Sequence, residues 1–317
     1  MACDGSNLTI APNLNDPETL WKSNQLGATG NHLHLNALYD VLNRTYIDAL
    51  VQTASTYQEH RACIQMIERV TLDKVILIAD RGYENYNIMS HAIEKGWKFL
   101  IRIKDVHSNG IASGLELPQT AVFDMDINLI LTRNQTKSKK QAGYKFMPTV
   151  QTFDYLPIGS KEDYPISFRI ARFKIADDSY ETVITNLDRF CFSAEKLKEL
   201  YHLRWGIETS FRELKYAIGL TSFHAKKVDY IKQEIFARLT LYNYCELITT
   251  YVVEHTENIS KKNQVNFTIA IYICREYLRR KRKLRPPDVV KLIEKHILPI
   301  RPGRRDPRKV KPQASVS

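Results

Sequence analysis

Residues 193–220, SAEKLKELYHLRWGIETSFRELKYAIGL, decide how the rest of the chain is read. Leu197, Leu200, Leu203, Ile207, Phe211, Leu214 and Ile218 recur at three- and four-residue spacing, which predicts one amphipathic helix. Ser193 is placed to cap its start, with Glu195 in the first turn, and Gly219 stands where a C-cap is expected. At 100° per residue, Tyr201, Arg204, Glu208 and Lys215 fall within about a 60° arc beside the apolar stripe. One helix therefore presents a phenol, a guanidinium, a carboxylate and an ammonium in a row about 21 Å long. A solvated helix face also carries mixed charges, so spacing alone leaves both readings open.

Upstream, Lys74–Tyr83 (KVILIADRGY) contains the unbroken apolar run Val75–Ile78, the pattern of a strand covered on both faces. Asp80 ends the run, and Gly82 permits a turn into a helix over Asn85–Lys95. Trp97–Ile103 (WKFLIRI) supplies another strand, giving a β-α-β order. Open α/β sheets build sites at the C-terminal ends of such strands, although an Asp there can instead cap the next helix. Met1–Ile10 (MACDGSNLTI) reads as two short strands joined by a turn at Gly5-Ser6, with Asp4 just before it.

Asn13–Gly30 reads as a loop. His32–Val41 and Thr45–Thr53 read as an antiparallel pair joined near Asn43-Arg44. His32 and His34 share one strand face, but with no third ligand nearby they read as exposed sheet residues rather than a metal site. Tyr57–Val70 has helical spacing. From Lys104 to Thr185 the helical pattern stops, and strand-like runs (VFDMDINLILT, KFMPTVQTFDYLPI, YPISFRIARFKI, YETVITNL) alternate with turn residues. Lys137, Lys139, Lys140 and Lys145 form a basic stretch within it, on a loop that meets either a polyanionic partner or solvent. Ile231–His255 predicts a long helix, Asn266–Arg285 ends in LRRKRKLR before Pro286-Pro287, and Asp288–Ile297 predicts a short helix.

The chain has 317 residues and a net charge of +11. Fifteen Lys/Arg against four Asp/Glu lie between Arg275 and Lys311, so this segment carries the whole excess and the remainder is balanced. A neutral body with a basic C-terminal segment suits a polyanionic partner, a solubilising tail being the alternative. No run of 18 apolar residues and no basic-then-apolar leader pattern exists, which argues against a membrane span and against secretion. Five cysteines, none paired as CxxC, favour reduced thiols over disulfides or a zinc cluster. The Walker loop, GxGxxG, HExxH and GxSxG patterns are all missing.

The pattern Tyr-x2-Arg-x3-Glu-x6-Lys, here Tyr201, Arg204, Glu208 and Lys215, resembles the YREK signature of bacterial insertion-sequence transposases of the insertion-sequence-4 family. ADRGY around Asp80 is similar to the family's second-Asp motif, and DGS at Asp4 to its first. The resemblance covers nearly the whole chain and implies an α/β fold: an RNase H-like mixed sheet flanked by helices, with a mostly β insertion between the second Asp and the catalytic Glu. It implies a catalytic core of residues 1–104 and 186–260, an insertion of 105–185, and a basic C-terminal segment of 261–317. Asp4, Asp80 and Glu208 are then the catalytic and metal-binding triad, holding two Mg²⁺ (or Mn²⁺) ions. Tyr201, Arg204, Lys215, Arg81, Lys226 and Lys227 are the expected DNA contacts, Arg204 gripping phosphate as a fork and Lys215 as a point charge. Tyr180 lies where some relatives place an aromatic that stacks on an extruded base.

The implied activity is metal-dependent strand cleavage and strand transfer at insertion-sequence ends, by cut-and-paste, on double-stranded DNA, with a homodimer as the working form. The implied location is the bacterial cytoplasm, at the nucleoid when DNA-bound. Because Asp4 is almost the first residue, the resemblance also implies an N-terminally truncated enzyme. The rival reading is an inactive remnant that at most binds DNA through its basic C-terminus.

Overall fold

The computed structural model describes residues 1–22, 29–106, 108–136, 139, 143–255, 263–280 and 285–300. Lys137, Lys140 and the basic tail Arg301–Lys311 lie outside the described residues. A ten-stranded mixed sheet runs through the molecule. Its first part comprises β1 (Ala2–Ile10), β2 (Leu20–Lys22), β3 (Thr29–Asp40), β4 (Thr45–Thr53), β5 (Ile76–Ala79) and β6 (Lys98–Arg102). β1 pairs antiparallel with β3 along its whole length and parallel with β5 through Ala2 opposite Ile78 and Cys3 opposite Ala79. β5 and β6 are parallel neighbours. The second part, β7 (Phe123–Thr132), β8 (Tyr144–Phe146), β9 (Asp163–Ala176) and β10 (Ser179–Thr185), continues the same sheet, β10 pairing antiparallel with β6.

Helices cover both faces because the central strands are apolar on both sides. On one face α1 (Glu59–Arg69) and α2 (Tyr86–Glu94) bury Cys63, Met66, Ile67, Ile88 and Met89 against Cys3, Leu77, Phe99 and Ile101. On the other, α4 (Trp205–Glu213) and α5 (Val228–His255) bury Ile207, Phe211, Ile235 and Tyr242 against Ala2, Leu8, Leu35 and Tyr39. α3 (Ala194–His202) packs Leu197 and Tyr201 on Ile78, Leu100 and Val183. α6 (Phe267–Arg279) and α7 (Val289–Glu294) lie against α5, and β11 (Asn263–Val265) pairs with β12 (Ile297–Pro299).

Four expectations change. The hairpin at Gly5-Ser6 does not form; β1 runs straight through it. A Cβ at Gly5 would sit 2.3 Å from His34 Nε2 and 2.8 Å from Glu59 Oε1, so glycine is there for close approach and not for a turn. His34 is accordingly not an exposed sheet residue: it is 5% exposed, beneath α1, with Nδ1 2.7 Å from Asn7 Oδ1. The 13–30 loop yields β2, held by an antiparallel pairing with β3. KFMPTVQTFDYLPI forms only the short β8; beyond it the chain folds around Arg133, whose guanidinium donates to the carbonyls of Leu156, Pro148 and Gln151 at 2.6, 2.9 and 3.1 Å. A guanidinium that satisfies loop carbonyls replaces the ladder partners a strand would need.

The organising stretch also departs from one uniform helix. Ser193 caps α3 by accepting from the Lys196 N–H at 3.4 Å. The coil then tightens at Leu203-Arg204, where the N–H groups of Leu203, Arg204, Gly206 and Ile207 each bond the carbonyl three residues back. After α4 it slackens into a π turn over Leu214–Ile218, and Gly219 closes it at φ +92°. The N–H groups of Gly219 and Leu220 both bond the Leu214 carbonyl, closing the π turn one residue wider than a Schellman end.

Candidate active site

The register of β1 against β5 brings the first two acids together. Asp4 follows Cys3, the last residue paired with β5, and Asp80 follows Ala79, its partner. Asp4, within β1, and Asp80, just past the end of β5, therefore stand side by side where the parallel pairing stops. Each carboxylate is oriented locally: Asp4 Oδ1 accepts from the Gly5 N–H at 2.8 Å, and Asp80 Oδ1 accepts from the Gly82 N–H at 2.8 Å. Asp80 thereby caps the tight turn Arg81–Tyr83, the capping role its position allows. A Cβ at Gly82 would lie 3.0 Å from that same Asp80 oxygen.

The tightened coil at Leu203-Arg204 aims the third acid. Arg204, only 5% exposed, donates from Nη2 to Glu208 Oε1 at 2.6 Å, and its Nη1 lies 3.6 Å from Asp4 Oδ2. One guanidinium thus spans the acid of β1 and the acid of α4. Burial pushes the Asp4 carboxyl up to about 6; the Gly5 N–H and Arg204 oppose this, and the nearby Asp80 and Glu208 reinforce it. The three acids therefore share one electrostatic neighbourhood. Among the described residues, no three His, Cys, Asp or Glu side chains stand close enough to hold a metal ion as they are. The donor set nevertheless suits a hard divalent cation: it consists of carboxylates, one of them ionises late, and a side-chain cation already bridges two of them.

Tyr201 is buried, its hydroxyl lacks a hydrogen-bond partner among the described residues, and burial raises its phenol. The Arg204 guanidinium lies 5.7 Å from the Tyr201 ring centre and 5.1 Å from that of Trp205, which is half exposed. Arg204 Nε is likewise buried without a partner. Lys215 sits on the π turn, half-buried, and burial lowers its ammonium. Arg81 is exposed beside Asp80, and Lys226 and Lys227 are exposed just before α5. Tyr180 is covered by Arg172, whose guanidinium lies 4.4 Å from its ring centre.

Sequence reasoning missed a fourth carboxylate. Glu59, at the start of α1, is 3.2 Å from His34 Nε2, and its pKa is lowered chiefly by that imidazole. Its Oε2 lies 4.0 Å from where a Gly82 Cβ would stand. Nothing in the spacing of Glu59 singles it out; the two glycines that make room for it were the available signal.

This mixed sheet, with two acids side by side where adjacent strands stop pairing in parallel and a third on a covering helix, is the architecture of a DDE-type nucleic-acid enzyme. The chain belongs to the transposase DDE domain family, whose model matches residues 1–244. It is similar to the probable transposase for insertion sequence element IS5377 of Geobacillus stearothermophilus, with 23% identity over 178 residues, 55% of this chain and 40% of that protein. Among solved structures it resembles the piggyBac transposase in a synaptic complex with hairpin DNA, at a TM-score of 0.51 and 10% identity, over 96% of this chain and 59% of that one. That likeness shows a shared RNase H-like fold. The chain spans less than two thirds of the length of both relatives. Among the described residues, no helix is long and apolar enough to cross a membrane.

Proposed function

We propose that the chain is the catalytic region of an insertion-sequence transposase of the YREK type, cutting and rejoining DNA strands at element ends with Asp4, Asp80 and Glu208 as its essential acids. The observation that carries this reading is the Arg204 bridge from Asp4 to Glu208, beside Asp80 on the adjoining strand. Those three carboxylates would hold Mg²⁺ or Mn²⁺. Bound there, divalent ions activate the attacking oxygen and relieve charge on the leaving one. The protein's own contribution is orientation. The Gly5 and Gly82 N–H groups fix one oxygen of each Asp, while the second Asp4 oxygen faces Arg204.

Arg204 presents a buried guanidinium whose Nε has no partner among the described residues, suited to a phosphate oxygen. The Tyr201 hydroxyl is a second unused donor nearby. Residues 1–104 and 186–260 would form the catalytic core and 105–185 a β-rich insertion, with 261–317 contributing positive charge for duplex DNA; two copies would act on paired ends. Lys215, Arg81, Lys226 and Lys227 would meet phosphates around the acids. The deciding test is nicking of a labelled duplex with Mg²⁺ or Mn²⁺, beside Glu208→Gln. Metal-dependent nicking that the variant lacks supports the reading; equal or absent activity in two folded samples favours the inactive remnant.

A further inference from the structure

Beside Asp80, a separate cleft of about 410 Å³ opens between the Arg81–Tyr83 turn and the segments around Lys104 and Lys145. Arg81, Lys104 and Lys145 line it, and among the described residues none of the three side-chain cations has an ion pair. The single acid in its wall, Glu84, is already committed, accepting from the backbone N–H groups of Lys104 (2.8 Å) and Ile111. His60 is committed too, its Nε2 donating to the Gly82 carbonyl at 2.5 Å. What remains, among the described residues, is three cations lining an open cleft with no ion-pair partner.

A second observation is independent of that charge. Tyr86 lines the same cleft and is 2% exposed, and among the described residues its hydroxyl has no hydrogen-bond partner. A buried donor without an acceptor is destabilising unless something fills it. Three unanswered cations and an unanswered phenol suit an anion with several acceptor oxygens. The cleft's volume is that of a small-ligand pocket, larger than a lone ion needs.

We infer that this cleft binds the phosphodiester backbone of the DNA strand where it leaves the Asp80 side of the acids, with Lys104 and Lys145 on the phosphates and the Tyr86 hydroxyl donating to one of them. The inference rests on the transposase reading and extends it to a segment of β-rich chain. Arg81 links the two sites, being adjacent to Asp80 and part of the cleft wall. Phosphate contacts of this kind position DNA without reading its sequence.

The test is equilibrium binding of a labelled duplex to the full chain without metal, over a range of salt concentrations, for wild type, Lys104→Gln/Lys145→Gln and Tyr86→Phe. Each cation–phosphate contact contributes about 0.9 to the slope of log K against log salt, so the double variant should lose about 1.8. Tyr86→Phe removes a neutral donor, so it should weaken binding several-fold while leaving the slope unchanged. Matching thermal melts establish that the variants are folded. Wild type that binds, with the double-variant slope unchanged, overturns this inference alone. Wild type that fails to bind duplex at low salt overturns the inference and the transposase reading together. Should the double variant not fold, a Tyr86→Phe affinity equal to wild type overturns it.

Discussion

Arg204 and Glu208, four residues apart on the same tightened coil, are joined by a 2.6 Å hydrogen bond, and the guanidinium of that pair reaches on to Asp4 across the sheet. The bond does more than tie a helix turn, because Arg204 is buried where an exposed i,i+4 pair would contribute little. Arg204→Met keeps the aliphatic stem and removes the charge. Asp4 then loses its opposing cation, and its midpoint should move above the wild-type value of about 6 by roughly one unit, the lower end of what one close charge does. Carboxyl carbon NMR of labelled Asp measures this. An unmoved Asp4 midpoint would show that the two groups are not coupled.

Asp4 also makes stability depend on pH in a defined direction. Its carboxyl ionises near 3.8 when unperturbed and at about 6 in the fold, chiefly through burial. The native state holds the proton more tightly than the unfolded chain, so stability contributed by the protonated form is lost as pH rises through this window. Asp4→Asn removes the penalty. Compared with wild type without metal, it should be no more stable at about pH 4, gain progressively to about pH 6, and stay ahead above that by about 3 kcal/mol. Thermal melts at several pH values check the profile, and a difference independent of pH would contradict it. Mn²⁺ should raise the melting temperature of wild type and leave Asp4→Asn unmoved.

Legibility in the sequence tracked the local signals. Ser193 and Gly219 marked the ends of the organising stretch because caps are local chemistry, and the apolar run 75–78 marked β5 because burial on both faces leaves no alternation. The Asn43-Arg44 joint was legible for the same reason; Arg44 adopts a left-handed φ of +56° in the turn. Gly5 was misread because an Asp-Gly pair signals a hairpin locally, whereas what demands glycine there is the approach of His34 and Glu59 from elsewhere in the chain. The tightening at Leu203-Arg204 was invisible to a uniform 100° wheel. Nothing in the sequence marks the Tyr86 hydroxyl, and only the packed structure reveals that it is left unanswered among the described residues.

Gly5 gives a direct test of that packing argument. Gly5→Ala places a methyl 2.3 Å from His34 Nε2 and 2.8 Å from Glu59 Oε1, and His34 is boxed in by Asn7, Tyr57 and α1. Overpacking of this kind costs about 1–3 kcal/mol. The double variant Gly5→Ala/His34→Ala removes the obstructing ring, so it should be less destabilised than the sum of its two single variants. Urea unfolding of all four proteins reads the coupling. Additive losses would mean that the methyl is accommodated without His34 moving.

Arg44 controls a buried cluster behind the sheet. It donates to Glu246 Oε1 at 2.8 Å and lies 3.8 Å from Glu213, while Tyr242 donates to both acids, at 3.2 and 3.0 Å. Glu246 is 2% exposed, and burial already raises its carboxyl despite Arg44. Removing the cation leaves that carboxylate in a low-dielectric site with Glu213 as a like-charged neighbour. Because the Arg44 side chain is itself half exposed, Arg44→Ala should destabilise the protein at neutral pH by about 1–3 kcal/mol, the cost of leaving one buried acceptor unanswered. Glu246 sets the sign of its pH dependence: with a raised folded pKa, the stability loss appears as the carboxyl ionises and shrinks as acid returns its proton. Arg44→Lys keeps a charge on the same strained backbone and should recover part of the loss, separating electrostatics from the turn. A deficit in Arg44→Ala that is constant from acid to neutral pH would place the cause in the turn and leave Glu246 unaffected.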